Sequence, residues 1–203
     1  MSEHPELEET DHDFTQKHLL GLTGYSPDDI RYVLEQAKYF REILDRPVPK
    51  VPTLRDKTIV NLFYEDSTRT KLSFELAQKR MGADVVNFSK SSSSVQKGES
   101  LKDTIRNISS MKIDMVVVRH KSPGVPHFLT RCVDAAIINA GDGAHEHPTQ
   151  ALLDMFTMQQ VYPDLTNKNI AIIGDIAHSR VVRSNIIGLL KLGANITVCG
   201  PRL

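Results

Sequence analysis

From residue 58 onward one pattern recurs: a short apolar run, a polar turn, then an amphipathic stretch. The apolar runs span residues 58–63, 85–88, 115–118, 136–139, 170–173 and 196–198, and helical candidates lie at 71–81, 99–111, 148–161 and 179–192. Strands alternating with helices pack as a parallel sheet covered on both faces. The expected fold class is therefore α/β, a parallel sheet with helices on both faces followed by the beginning of a second α/β domain. In such sheets a ligand lies beyond the carboxyl ends of the strands. The turns after the strands are where chemistry is to be sought.

Upstream, Ser26-Pro27-Asp28-Asp29 reads as a capped helix start, with Ser26 as the cap, Pro27 at the first position and Asp29 as the capping-box acid. Ile30, Val33, Leu34, Ala37 and Leu44 then recur at helical spacing, and Pro47, Pro49 and Pro52 end the helix in an extended connector. A second break is expected near Tyr162-Pro163-Asp164, where a long helix gives way to a new strand, turn and helix.

Composition excludes several classes. The 25 basic residues balance the 25 acidic ones, so no overall field attracts nucleic acid. No apolar run approaches the roughly 18–20 residues that span a bilayer. The start is acidic, without the basic and apolar stretches of a signal peptide. These features point to the cytoplasm. Cys132 and Cys199 form no disulfide framework and are expected as buried structural thiols.

The most informative turn is Tyr64-Glu65-Asp66-Ser67-Thr68-Arg69-Thr70, directly after the run at 58–63. It brings the hydroxyls of Ser67, Thr68 and Thr70 and the guanidinium of Arg69 to a helix start, where free N–H groups and the positive dipole end favour an anion. Arg69 adds a fork matched to phosphate oxygens. Capping alone needs one hydroxyl. Arg119 and His120 follow the run at 115–118 and so reach the same edge. His145-Glu146-His147 places two histidines one residue apart, but no cysteine cluster or acid–histidine helix accompanies them, so no metal is expected. Gly174 follows an apolar strand, yet Gly174-Asp175-Ile176-Ala177-His178-Ser179 holds only the first glycine of a dinucleotide fingerprint. No cofactor is expected.

Two longer strings sharpen this picture. Ser67-Thr68-Arg69-Thr70-Lys71-Leu72-Ser73-Phe74-Glu75 resembles the carbamoyl-phosphate loop of the aspartate/ornithine transcarbamoylase family, and His147-Pro148-Thr149-Gln150-Ala151-Leu152-Leu153-Asp154 resembles the motif that holds the carbamoyl group. Ser93-Ser94-Val95-Gln96-Lys97-Gly98-Glu99-Ser100 resembles the loop that, in the aspartate branch, carries a serine and a lysine into a neighbouring subunit's site. The stretch from Gly174 to Asn185 resembles the start of that branch's aspartate-binding domain. The resemblance divides the chain into an acidic lead-in (1–18), a carbamoyl-phosphate-binding domain (19–150), a connecting helix (151–162) and an incomplete start of an aspartate-binding domain (163–203).

It implies transfer of the carbamoyl group from carbamoyl phosphate to L-aspartate, an early step of pyrimidine synthesis, in a homotrimer with shared active sites to which regulatory chains can be added. In this scheme Ser67, Thr68, Arg69 and Thr70 hold the leaving phosphate. Thr70, Arg119 and His147 donate to the carbonyl oxygen, with Arg119 also on phosphate, and Gln150 fixes the carbamoyl amino group by its side-chain carbonyl. Ser93 and Lys97 arrive from a neighbour, and Arg180, with Lys97, binds aspartate. An ornithine enzyme shares the phosphate loop, but Lys97 and the Leu152-Leu153-Asp154 ending argue against it. A non-catalytic homologue should have lost a matched position, and none is lost. Residues 1–203 alone are expected to be inactive, because about forty residues after Tyr162 fall short of a domain and leave Arg180 without a fixed position.

Overall fold

The apolar runs become strands in the computed structural model of the chain, which describes residues 12–89 and 101–201. A parallel sheet in the order β2-β1-β3-β4 forms from β1 (Thr58–Phe63), β2 (Asp84–Ser89), β3 (Met115–His120) and β4 (Ala136–Asp142). Helices α2 (Thr68–Arg80), α3 (Leu101–Ser109) and the short α4 (Val125–Leu129) connect these strands. A second parallel pair, β5 (Asn169–Ile173) and β6 (Asn195–Cys199), is joined by α6 (Arg180–Lys191). The α1 helix (Pro27–Leu44) precedes the larger sheet, and α5 (Pro148–Gln159) leads away from it.

Period-two alternation sends neighbouring residues to opposite faces of the larger sheet. Val60, Leu62, Val116, Val118 and Ile137 pack with Ile105 and Ile108 of α3 and Leu129 of α4. Ile59, Phe63, Val117 and Ala140 form the other face, against Phe74 of α2 and Leu54 of the turn before β1. Burial on both faces is what an all-parallel sheet requires, and it explains why these runs are continuously apolar rather than alternating. A third cluster joins Ile30 and Leu34 of α1, Ala151 and Met155 of α5, and Leu189 of α6. The helix of the second pair is thus packed into the body of the first unit. The β5–β6 pair is covered less well, and Ile173 is 78% exposed.

The α1 start forms as the sequence predicts. Ser26 Oγ accepts from Asp29 N–H, Asp29 returns the bond to Ser26 N–H, and Pro27 occupies the first turn. Ahead of it, Leu19 bridges to Ile138 and extends the free edge of β4. Three expectations need correction. Arg119 and His120 do not follow the strand but end it, because the β1 backbone continues to pair as far as Arg119. Cys132 is only partly buried and Cys199 is exposed: the one tops α4 at the surface, the other ends a thinly covered strand. The helix α4 went unpredicted because five residues show no helical repeat.

Candidate active site

The site lies at the carboxyl edge of the larger sheet, where the ends of β1, β3 and β4 meet the starts of α2, α5 and α6. At α2, Ser67 is the N-cap residue, yet its side chain makes no capping bond. Its hydroxyl donates instead to Thr70 Oγ1 at 2.8 Å, so one hydroxyl holds another across the first turn. The first turn carries no acidic residue, which leaves the positive helix end uncompensated. Thr68 and Arg69 are exposed.

One strand over, Arg119 is 8% exposed. A bulge makes room for it: β4 carries Ala140 and Gly141 between Asn139 and Asp142, where β3 carries only Arg119 between Val118 and His120. Arg119 Nη1 donates to the Ala140 carbonyl at 3.0 Å, and Gly141 lies against the guanidinium. A Cβ at Gly141 would sit 3.0 Å from both Arg119 Nη1 and Arg180 Cζ, and the backbone there has φ +113°, so glycine is required twice over.

His147 is the N-cap residue of α5, at the same edge. It is 6% exposed, with Nε2 3.4 Å from Arg119 Nη1 and Nδ1 3.3 Å from Thr149 Oγ1. Burial, and then the charges of Arg119 and Arg180, push its pKa down to about 4. The ring is therefore neutral at physiological pH, a hydrogen-bonding group and not a cation. Gln150, one turn further along α5, donates its amide N–H to Asp154 Oδ1 at 2.9 Å. That orients the amide so that its carbonyl faces away from Asp154.

The residue that ties the halves together was not singled out in the sequence. Glu65 Oε1 accepts from Arg119 Nη2 at 2.5 Å and from Arg180 Nη2 at 2.5 Å, and its Oε2 accepts from Arg180 Nη1 at 3.0 Å. Hydrogen bonds from Arg180 and the charge of Arg119 hold the Glu65 carboxyl below its usual range despite the opposing effect of burial. Burial and the nearby Arg180 lower Arg119 in turn, while Glu65 opposes the shift. Arg180, the first residue of α6, also donates to the Gly143 carbonyl at 3.0 Å. The expectation of an unanchored Arg180 is corrected here: Glu65 fixes it, and α6 is anchored in the shared core. No local pattern singles out Glu65, because both of its partners lie far away in the chain.

Arg119, His147 and Arg180 are thus brought together around Glu65, with Ser67–Thr70 on the same chain turn as Glu65. Ser93 and Lys97 lie outside the described residues. Among the described residues no group of three or more His, Cys, Asp or Glu side chains is arranged for a metal.

The chain has relatives of known sequence and structure. The family described as aspartate/ornithine carbamoyltransferase, carbamoyl-P binding domain, matches residues 17–160. The chain belongs to that family. It is 60% identical over 185 residues to the aspartate carbamoyltransferase catalytic subunit of Flavobacterium psychrophilum, covering 91% of this chain and 60% of the relative. The corresponding subunit of Christiangramia forsetii is 58% identical over the same shares. This chain therefore spans about 60% of the length of these curated relatives. Among solved structures, aspartate transcarbamoylase from Trypanosoma cruzi in complex with carbamoyl aspartate and phosphate matches with a TM-score of 0.81 and 35% identity, covering 90% of this chain and 58% of that one. The catalytic subunit from M. jannaschii gives 0.81 and 38%, covering 92% and 61%.

Proposed function

We propose that this segment supplies the carbamoyl-phosphate site, and the first part of the aspartate site, of an aspartate carbamoyltransferase acting in pyrimidine synthesis. The observation that carries the reading is the buried Arg119–His147 pair beside the open helix start at Ser67.

In the reaction the aspartate amine attacks the carbamoyl carbon, charge gathers on the carbonyl oxygen, and phosphate leaves. Donors aimed at that oxygen in a site of low dielectric stabilise the charge most. Arg119 supplies one, and its buried Nε has no partner among the described residues. His147 supplies another as a neutral ring. An arginine only donates, so beside Arg119 the His147 Nε2 acts as acceptor. Donation to substrate requires the other tautomer, with the proton on Nε2. Ser67, Thr68, Arg69 and Thr70 receive the phosphate at the helix start. The Gln150 carbonyl takes the carbamoyl amino group. Arg180 turns from Glu65 to a substrate carboxylate, with Lys97 and Ser93 completing the site from a neighbouring chain. No side-chain nucleophile is required.

A homotrimer, which the resemblance of the Ser93–Lys97 loop implies, would need apolar surface to cover. Leu72 and Leu76 of α2 and Val86 of the edge strand β2 are large apolar residues left 51%, 50% and 44% exposed on neighbouring elements. Carbamoyl transfer by the full-length enzyme, with L-aspartate and L-ornithine compared at equal concentration, tests the reading: turnover with aspartate alone is expected, and turnover with ornithine alone refutes it. Shared sites are tested by mixing Arg69→Ala with Lys97→Ala chains. Activity should return in the hybrids, and hybrids that stay inactive after proven subunit exchange would mean each site is built from one chain.

A further inference from the structure

Glu146 lies next to His147 in sequence, is 4% exposed and has no role in the scheme above. A carboxylate so deeply placed is costly to keep unless its oxygens are used. Glu146 Oε2 accepts from Ser184 Oγ at 3.0 Å and from Leu22 N–H at 3.1 Å. Ser184 Oγ, having given its proton to Glu146, accepts from His147 N–H at 2.9 Å. The main chain of Glu146 is held too: its N–H donates to Asp142 Oδ1 at 3.1 Å, and its carbonyl accepts from Asp142 N–H at 3.2 Å. On the far side Gly21 closes the pocket, since a Cβ there would stand 2.3 to 2.9 Å from the carboxyl atoms of Glu146.

Three separate elements converge on this one side chain: the segment before α1, the turn between β4 and α5, and α6. His147 is the N-cap residue of α5, and the Ser184 hydroxyl takes up its N–H. A hydroxyl rotates freely and has a single proton. With Glu146 receiving that proton, the Ser184 lone pairs are turned toward His147.

We propose that Glu146 is a positioning residue for His147: through Ser184 it sets the backbone from which the His147 ring reaches the substrate, and Gly21 is glycine so that the carboxylate can hold that place. The inference rests on the reading of His147 as a donor to the carbonyl oxygen.

Steady-state kinetics of the full-length enzyme test it. Glu146→Ala and Ser184→Ala should each lower kcat on the order of 10–100-fold, the cost of displacing a catalytic group by about an ångström. Glu146→Gln keeps an oxygen that accepts from both Ser184 and Leu22, and should stay within about threefold of wild type. Gly21→Ala should lower kcat in the wild-type background and have no further effect beside Glu146→Ala. In a His147→Ala background neither Glu146→Ala nor Ser184→Ala should lower kcat again, which a general loss of structure would not reproduce. Should Glu146→Ala fail to fold, Ser184→Ala and Gly21→Ala still decide. Wild-type kcat in Ser184→Ala, or a loss that persists undiminished in the His147→Ala background, overturns the inference while the functional reading stands. A His147→Ala enzyme with unchanged kcat overturns both.

Discussion

Arg119 and Arg69 stand at the same edge of one sheet, at the end of β3 and just beyond the adjacent β1. Arg119 is 8% exposed and is held by Glu65, the Ala140 carbonyl and the flat surface of Gly141. Arg69 is exposed, and its carbonyl accepts from Ser73 Oγ. Both are assigned to one ligand. The buried arginine is positioned by the protein before any ligand arrives, so its entropy is already spent in folding. The exposed one keeps its rotamers and must be ordered by the phosphate itself. A site divided in this way can admit its ligand through the loose half and align it on the rigid half.

The comparison predicts unequal losses. Arg119→Ala should cost about 10²–10³ in kcat/KM, the usual effect of losing a donor to a developing oxyanion. It should also lower stability by about 1–3 kcal/mol, because Glu65 loses a buried partner. Denaturant unfolding beside kinetics would check both, and an Arg119→Ala enzyme of unchanged stability would show that the buried half is not braced as described. Arg69→Ala should cost about one to two decades in kcat/KM, from the loss of about 1.5–3 kcal/mol of charge-assisted contact. Its stability should stay within about 0.5 kcal/mol of wild type, as for a surface change. A kcat/KM within about twofold of wild type would remove Arg69 from the site.

A smaller effect sharpens the buried half further. The fold lowers the His147 pKa from 6.5 to about 4, so the unfolded chain binds the extra proton first as the pH falls. Stability from the neutral ring is complete above pH 6.5 and is lost progressively toward pH 4. Between pH 7 and pH 5 the wild-type protein should therefore lose about 2 kcal/mol relative to His147→Asn. A gap between the two that stays constant over this range would place His147 in a more open and polar setting.

The same division between local and distant causes decided how much was legible in the sequence. The strands of the larger sheet could be read because burial on both faces leaves unbroken apolar runs. The helix start at Ser67 could be read because its hydroxyls and arginine are neighbours in the chain. Glu65 could not, since its partners Arg119 and Arg180 are 54 and 115 residues away. Nor could the bulge at Ala140 and Gly141, which exists only in register with β3. The Glu146–Ser184 bond spans 38 residues and joins a turn to a helix that packs elsewhere in the chain order. The exposure of Cys199 was not legible, because it depends on how far β6 is covered, and an apolar run does not report that.

The central claim is that the rigid and the loose half meet on one molecule of carbamoyl phosphate. Calorimetric titration of carbamoyl phosphate into the full-length enzyme tests it most directly, with wild type, Arg119→Ala and Arg69→Ala measured side by side and inorganic phosphate as competitor. The account predicts one saturable site per chain, displaced by phosphate and weakened by both substitutions. Carbamoyl phosphate binding that survives both substitutions at wild-type affinity would contradict it.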